Sequence, residues 1–260
     1  MDQAYWRAFG EARPEALAFH CSLAHSGAWR GVAEHASLNL PFLAMDLPSH
    51  GKSPIWSGDQ DYADTAVRWV KDALTHPVHL MGHSFGGYVA LRVAIECPDM
   101  VRSLSLYEPV FFAAGADWGA LDVQAYRDEM SEVAALVDQG RADEGARLFV
   151  RSWGDGRRWH DLPEAQRAQF AELMPAVLAA QHALLDDVGG YIPRLSEISC
   201  PTLVMDGALS HPTMPLVQNA IADKIPGAQR LTLEGVGHMG VITHPHLVAT
   251  AFAENIARAD

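Results

Sequence analysis

The residues best suited to chemistry in this chain lie in the hexapeptide Gly-His-Ser-Phe-Gly-Gly at positions 82–87. It follows the apolar run Val78–Met81 and precedes a helix-forming stretch, so a strand is predicted to turn directly into a helix at Ser84. Gly82 and Gly86 let the two elements approach without a Cβ clash. The Ser84 hydroxyl is then held out of the fold at a helix N-terminus, which favours developing negative charge. The spacing therefore predicts an exposed serine nucleophile.

A serine hydroxyl is a poor nucleophile until a neutral imidazole accepts its proton, and the chain has 13 histidines from which to choose. His238 follows the last predicted strand, in a Gly-rich loop that can fold over Ser84. His83 flanks the serine on a tight turn and is predicted to pack beside the site or line its pocket. No two histidines stand four residues apart on a helix with a carboxylate partner, so no metal site is expected. Acyl transfer through a serine also implies no cofactor.

Apolar runs alternate with helical patterns on both sides of this hexapeptide. Such alternation predicts a mostly parallel sheet with helices on both faces. Strands are predicted at Ala16–His20, Phe42–Met45, Val78–Met81, Val101–Tyr107, Pro201–Met205 and Arg230–Leu233, and helices at Ala28–Leu38, Asp61–Thr75, Tyr88–Ile95, Leu216–Ile225 and from residue 247 onward.

The alternation stops after Tyr107, and from Asp122 to Leu185 the pattern is helical throughout. A helical block inserted between two parallel strands is expected to cover the carboxyl edge of the sheet, where ligands bind in such folds. We therefore predict a core domain formed by residues 1–110 and 196–260, and a helical lid at 111–195. The candidate pocket residues are Leu23, His83, Phe111, Trp118 and Trp153. Phe112 and Trp159 are further aromatic candidates, and ordinary lid packing is the alternative for all the aromatic ones.

Composition excludes several classes of partner. The chain has 260 residues, a net charge of −13 and a pI near 5.4, so we expect it to avoid nucleic acid and anionic membranes. No apolar stretch approaches the roughly 20 residues needed to span a bilayer, and the N-terminus lacks the pattern of a signal peptide. Three widely spaced cysteines predict free thiols. A cytoplasmic protein with a small-molecule substrate is expected, and its oligomeric state is left open between monomer and homodimer.

With these features together, the chain resembles the alpha/beta-hydrolase family over nearly its whole length. Asp46–Ser53 is similar to the family's D-L-P-G-H-G-x-S loop, and Gly235–His238 is similar to its segment that carries the catalytic base. The resemblance implies a helical lid after the sixth strand. Because only about 15 residues precede Ala16, the N-terminal hairpin is expected to be shortened, with one strand at most near Tyr5–Phe9.

The catalytic acid is where the chain departs from the family pattern. The usual position holds Ser210, which cannot stabilise an imidazolium. Glu108 follows the Val101–Tyr107 strand, where some family members keep their acid, and it is our first choice to orient His238. Asp206 is the second choice, because it ends the strand that usually precedes the acid.

The resemblance also implies an oxyanion hole made of two backbone N–H groups. One belongs to Phe85, the residue after the nucleophile. The other comes from His20–Leu23, which looks like the family's H-G-x loop, and Ser22 is the preferred donor. Cys21 replaces the usual glycine of that loop, so Leu23 is the alternative donor.

These residues predict a hydrolase that acts on an ester, thioester or lactone of a small to medium molecule through an acyl-enzyme. Serine at position 84, rather than aspartate, argues against the dehalogenase and epoxide-opening branches. The alternatives are a carbon–carbon bond hydrolase, a perhydrolase or an acyltransferase of the same fold. A non-catalytic receptor for a small ligand also remains open.

Overall fold

Seven strands form one sheet in this computed structural model, which describes residues 3–119 and 121–259. They are β1 (Trp6–Phe9), β2 (Ala16–Phe19), β3 (Phe42–Met45), β4 (Val78–His83), β5 (Val101–Tyr107), β6 (Thr202–Gly207) and β7 (Gln229–Leu233). Their order in the sheet is β1-β3-β2-β4-β5-β6-β7. β1 pairs antiparallel with β3, and the other neighbouring pairs run parallel.

The helices carry the chain from one strand to the next. They are α1 (Arg30–Ala33), α2 (Tyr62–Ala73), α3 (Phe85–Glu96), α4 (Phe112–Asp117), α5 (Gln124–Asp138), α6 (Ala142–Trp153), α7 (Glu164–Ala179), α8 (Gln181–Leu185), α9 (Tyr191–Arg194), α10 (Met214–Lys224), α11 (Gly240–Thr243) and α12 (Pro245–Ile256). Single 3-10 turns lie at Ser26–Trp29, Pro98–Met100, Trp159–Asp161 and Leu195–Glu197.

Side chains that alternate along the central strands build a separate apolar core on each face of the sheet. Leu80 of β4 and Leu104 of β5 point into the core that α2, α3 and α10 cover. Met81 and Tyr107 point to the opposite core, which α1 and α12 cover. The central strands are therefore buried on both faces, as parallel sheets require.

The predicted fold class is confirmed, with two corrections. The helical block follows the fifth strand along the chain and not the sixth, because β1 is the one strand that precedes β2 in the described residues. The predicted helix at Ala28–Leu38 shrinks to a 3-10 turn and the single turn α1. His35 accepts a hydrogen bond from the Ser37 amide, and such local side-chain bonds compete with helix continuation.

The helices from α4 to α9 occupy the segment between β5 and β6, where the lid was predicted. Several polar contacts tie this segment to the rest of the protein, and two of them reach α3 and the start of α2. The Tyr191 hydroxyl donates to Glu96 on α3 at 2.8 Å, and the His182 ring lies 2.8 Å from the carboxylate of Asp61. The division into a core (1–110 and 196–260) and a lid (111–195) stays a prediction. Within residues 3–119 and 121–259, none of the helices is both long and apolar enough to span a membrane.

Candidate active site

Ser84 stands at the sharp turn between β4 and α3. Its backbone is strained, with φ +55° and ψ −121°, a conformation that L-residues adopt only when the surroundings enforce it. A Cβ on Gly82 would lie 2.6 Å from the Gly86 carbonyl oxygen, and a Cβ on Gly86 would lie 2.2 Å from the Phe19 carbonyl oxygen. Only glycine fits at these two positions, for the steric reason predicted from the sequence.

His238 and Glu108 form a hydrogen-bonded line with this serine. The Nε2 atom of His238 lies 3.1 Å from the Ser84 hydroxyl oxygen, and its Nδ1 atom lies 2.5 Å from Oε2 of Glu108. A carboxylate can only accept a hydrogen bond, so Nδ1 carries the proton and Nε2 is free to accept one from Ser84. All three side chains are buried.

Three hydrogen bonds hold the backbone around His238. Tyr107 donates its hydroxyl to the Gly237 carbonyl at 2.7 Å, and His83 donates Nε2–H to the His238 carbonyl at 2.8 Å. The Leu209 amide donates to the Val236 carbonyl, also at 2.8 Å. Burial lowers the pKa of His83 well below its usual value, and the nearby His238 lowers it further. His83 is therefore neutral, and it supports the loop from beneath.

Glu108 is fully buried, and every polar atom of its carboxylate has a partner. Besides His238, it accepts hydrogen bonds at Oε1 from the Gly207 amide at 2.8 Å and from the Ser210 hydroxyl. Its backbone has φ +48°, which turns the side chain from the end of β5 toward the neighbouring strand β6. Ser210 thus hydrogen-bonds the carboxylate of the residue that follows β5.

Asp206, the second choice for the acid, is also fully buried but points the other way. It pairs with Arg230 of β7, with Nη2 3.1 Å from Oδ2. Oδ1 accepts the hydroxyl of Thr232 at 2.7 Å. No hydrogen bond joins Asp206 to His238 among the described residues, so this carboxylate serves the outer strands of the sheet.

Buried histidines shape the loop after β2 that was predicted to contribute to the oxyanion hole. His20 donates Nδ1–H to the Cys21 carbonyl at 2.7 Å and accepts the Leu47 amide at Nε2 at 3.0 Å. His50 accepts the Leu23 amide at 3.2 Å. Burial lowers the pKa of both rings, that of His50 to about 4.

The bond to His50 engages the Leu23 amide, the alternative oxyanion donor. The Phe85 amide lies in the first turn of α3, where helical N–H groups have no carbonyl one turn earlier to bond. The Ser22 amide has no partner among the hydrogen bonds of the described residues. Phe85 and Ser22 are therefore the pair with N–H groups left for a ligand.

A small cavity of about 20 Å³ lies over Ser84. Its wall combines residues of the core with residues from α4 to α8: Ser22, Ser84, Val110, Phe112, Tyr126, Phe149, Trp153, Val177, Ala180, Gln181, Leu184 and His238. The Trp153 ring meets the His238 ring edge-to-face, with centroids 5.1 Å apart.

Trp153 and Phe112 line this cavity, and the other candidate pocket residues lie elsewhere. Phe111 is fully buried against Tyr88, with ring centroids 5.2 Å apart. Trp118 is 42% exposed. His83 lies beneath His238, and Leu23 is buried in the loop after β2 with φ +64°.

Leu23 instead lines a larger groove of about 590 Å³ that shares Ser22 with the cavity. The groove runs between the loop after β2, the segment that contains Met239 and Ile242, and the helical block near Gly154 and Phe170. Met239, the residue that follows His238, is also in its wall.

Sequence reasoning did not single out several residues around the site. Tyr126 and Gln181 line the cavity, and Tyr107 fixes the His238 loop. No motif marks them, because a side chain reaches the site only through the packing of distant elements. Phe112, a candidate beside Phe111 in the sequence, also lines the cavity. Among residues 3–119 and 121–259, no group of three or more His, Cys, Asp or Glu side chains is arranged to hold a metal ion.

The sequence is similar to a known protein family and to individual hydrolases. The profile of the "Alpha/beta hydrolase family" matches residues 16–251. A pimeloyl-[acyl-carrier protein] methyl ester esterase from Nitrosomonas europaea is 34% identical over 252 residues, which cover 92% of this chain and 94% of that protein. A hydrolase from Acinetobacter baylyi, named for (E)-2-((N-methylformamido)methylene)succinate, is 24% identical and covers 93% of this chain and 89% of its own length.

Solved structures show the same fold. An alpha/beta hydrolase from a Medee basin deep-sea metagenome library superposes with a TM-score of 0.80, at 16% sequence identity, over 98% of this chain and 94% of that one. At this identity, the likeness bears on the fold alone.

Proposed function

The chain belongs to the alpha/beta hydrolase family and is a serine hydrolase with esterase-like activity, and we propose that Ser84, His238 and Glu108 are its catalytic triad. The continuous line of hydrogen bonds from the Ser84 hydroxyl through His238 to Glu108 carries this proposal. The roles follow from geometry, since a triad is recognised by its contacts and not by chain order.

In the proposed reaction, His238 Nε2 accepts the Ser84 proton while the serine oxygen attacks the substrate carbonyl carbon. Glu108 stabilises the resulting imidazolium through Nδ1–H. His238 then donates the proton to the leaving oxygen or sulfur, and an acyl-enzyme remains on Ser84. A water molecule attacks the acyl carbon after giving a proton to His238, and the acid product leaves as Ser84 recovers its hydrogen.

The negative oxygen of each tetrahedral intermediate is proposed to bind the backbone N–H groups of Phe85 and Ser22. The engaged amide of Leu23 supports Ser22 as the second donor. One such donor is typically worth about 2.7–4 kcal/mol in the transition state. The N-terminus of α3 adds to the stabilisation, because its partial positive charge faces Ser84.

The cavity over Ser84 and the groove that shares Ser22 with it suggest how an ester is held. We assign the acyl part to the cavity of about 20 Å³ and the leaving group to the groove of about 590 Å³. Met239 lines that groove and directly follows His238, which must protonate the leaving atom. A substrate with a small acyl part and a larger alcohol or thiol part fits this arrangement, and an ester, thioester or lactone remains the proposed reacting group.

Covalent labelling tests the triad. The protein is incubated with a fluorophosphonate, and its intact mass is measured for the wild type and for Ser84→Ala. We expect one phosphonyl adduct on the wild type, located on Ser84 by peptide mapping, and none on the variant. An unlabelled but folded wild type would refute the proposed nucleophile.

A further inference from the structure

Two unpaired polar atoms lie in the wall of the cavity over Ser84. Nε1 of Trp153 and Oε1 of Gln181 are both buried, and neither has a hydrogen-bond partner within the described residues. Both side chains line the same cavity as the Ser84 hydroxyl. Burying a donor or acceptor without a partner costs about 1–3 kcal/mol, so such a pair beside a nucleophile points to a group that binds between them.

The orientation of the Gln181 amide follows from its other contacts. Its nitrogen donates to the Val177 carbonyl at 2.9 Å, across one turn at the end of α7. Burial raises the pKa of Tyr126, and a hydrogen bond with Gln181 opposes that rise. These contacts engage the nitrogen side of the amide and leave Oε1 as a free acceptor.

The rest of the wall restricts what can bind there. Its remaining side chains are largely apolar, and it contains no Lys, Arg, Asp or Glu. A carboxylate or an ammonium group would therefore be buried without a counter-ion, which is strongly unfavourable. A neutral hydroxyl has both a donor for Oε1 of Gln181 and an acceptor for Nε1 of Trp153. The cavity is only slightly larger than one water molecule requires.

We propose that the preferred substrates are esters or thioesters of short hydroxy acids, whose acyl hydroxyl binds Gln181 and Trp153. The proposal rests on the function proposed above and specifies its acyl group. Gln181 and Trp153 act as specificity-determining residues, because they recognise a hydroxyl close to the reacting carbonyl. The larger part of the substrate then lies in the outer groove.

A matched pair of substrates isolates the hydroxyl. Glycolyl and propionyl esters of one phenol differ only by a hydroxyl in place of a methyl group. The kcat/KM of each is measured per fluorophosphonate-titrated active site and divided by its rate of hydroxide-catalysed hydrolysis. We expect the wild type to favour the glycolyl ester at least tenfold and to hydrolyse the octanoyl ester more slowly than the propionyl ester.

Two variants and a control locate the origin of this preference. Gln181→Met keeps the shape and removes the acceptor, and we expect the glycolyl-to-propionyl ratio to fall about tenfold, equivalent to about 1.4 kcal/mol. Trp153→Phe removes the donor and should lower the ratio about threefold. Gln139→Met alters an exposed glutamine between α5 and α6 and should leave the ratio unchanged. Because each ratio is taken within one protein, partial misfolding of a variant does not affect it.

The labelling and kinetic results distinguish a failure of the proposed function from a failure of the hydroxy-acyl specificity. If the wild type is not labelled on Ser84, the proposed function itself fails. If labelling succeeds but the wild type shows no glycolyl preference, prefers the octanoyl ester, or keeps its preference in Gln181→Met, the proposed nucleophile stands and the hydroxy-acyl specificity is overturned.

Discussion

Two fully buried carboxylates lie at the ends of adjacent strands, and they have different surroundings. Glu108 follows β5 and accepts hydrogen bonds from His238, Ser210 and the Gly207 amide. Asp206 lies in β6 and pairs with the cation of Arg230 and the hydroxyl of Thr232. Burial alone therefore does not distinguish the proposed catalytic carboxylate from the structural one. Their partners do, because one contacts an imidazole aligned with a serine and the other contacts a permanent cation.

The largest expected effect comes from replacing each carboxylate by its amide. In Glu108→Gln, the imidazolium loses its anionic partner and Nδ1 its fixed acceptor, so kcat should fall about 10⁴-fold. Asp206→Asn keeps the shape of a residue that does not contact His238, and its kcat should stay within about fivefold of wild type. Steady-state kinetics on a p-nitrophenyl ester measure both. A greater loss in Asp206→Asn than in Glu108→Gln would reverse the assignment.

The ion pair of Asp206 with Arg230 is expected to affect the free energy of unfolding more than the turnover rate. Arg230→Met leaves the fully buried Asp206 with Thr232 as its remaining side-chain partner, and loss of one member of a buried ion pair is strongly destabilising. Because Arg230 is partly exposed, we expect the free energy of unfolding to fall by about 2–3 kcal/mol, with little change in kcat. Urea denaturation measures it, and Arg30→Met on α1 is the exposed control. An unchanged free energy would show that the pair does not stabilise the outer strands.

The histidines differ in the same way: His238 contacts Ser84, whereas His50 holds the backbone of a loop. His50 has a pKa of about 4 in the folded protein because it is buried, against about 6.5 when unfolded. The unfolded state binds more protons between these values, so stability is fully present above pH 6.5 and is lost as the pH falls toward 4. Glutamine can accept the Leu23 amide and donate to the Pro48 carbonyl, as the His50 ring does, without titrating.

We therefore expect His50→Gln to reduce the loss of unfolding free energy between pH 7.5 and pH 5.0 by about 1–2 kcal/mol. Denaturant titrations at the two pH values measure this difference, and His246→Gln, at an exposed histidine, is the matched control. An equal loss in His50→Gln and wild type would mean that His50 is not buried in its neutral form.

The smallest expected effect is the recovery of activity when the acid is moved. Ser210 contacts the Glu108 carboxylate directly, so an aspartate at position 210 brings a carboxylate next to the place that Glu108 occupies. In Glu108→Gln/Ser210→Asp, we expect kcat to rise about tenfold above that of Glu108→Gln. Ser210→Asn in the same background is the uncharged control. Equal rates in the two double variants would show that a carboxylate at this position cannot serve His238.

Local patterns predicted the parts of the molecule that depend on neighbours in sequence. The turn at Ser84 follows from glycines two residues away on either side, and the parallel strands follow from short apolar runs. The pocket was predicted less well. Phe111 and Phe112 are adjacent and equally apolar, and only the packing of α4 decides that Phe112 reaches the cavity while Phe111 is buried on Tyr88.

The sequence by itself determined the fold class and the candidate residues of the site, because periodicity, glycine spacing and residue chemistry are local properties. The tertiary structure decided which carboxylate lies beside His238, that Ser210 hydrogen-bonds it, and that Gln181 and Trp153 line the cavity over Ser84. These contacts join residues from about 70 to 155 positions apart, and no local pattern encodes such distances. They arise only when parallel strands bring their carboxyl ends to one edge of the sheet and the inserted helices pack against it.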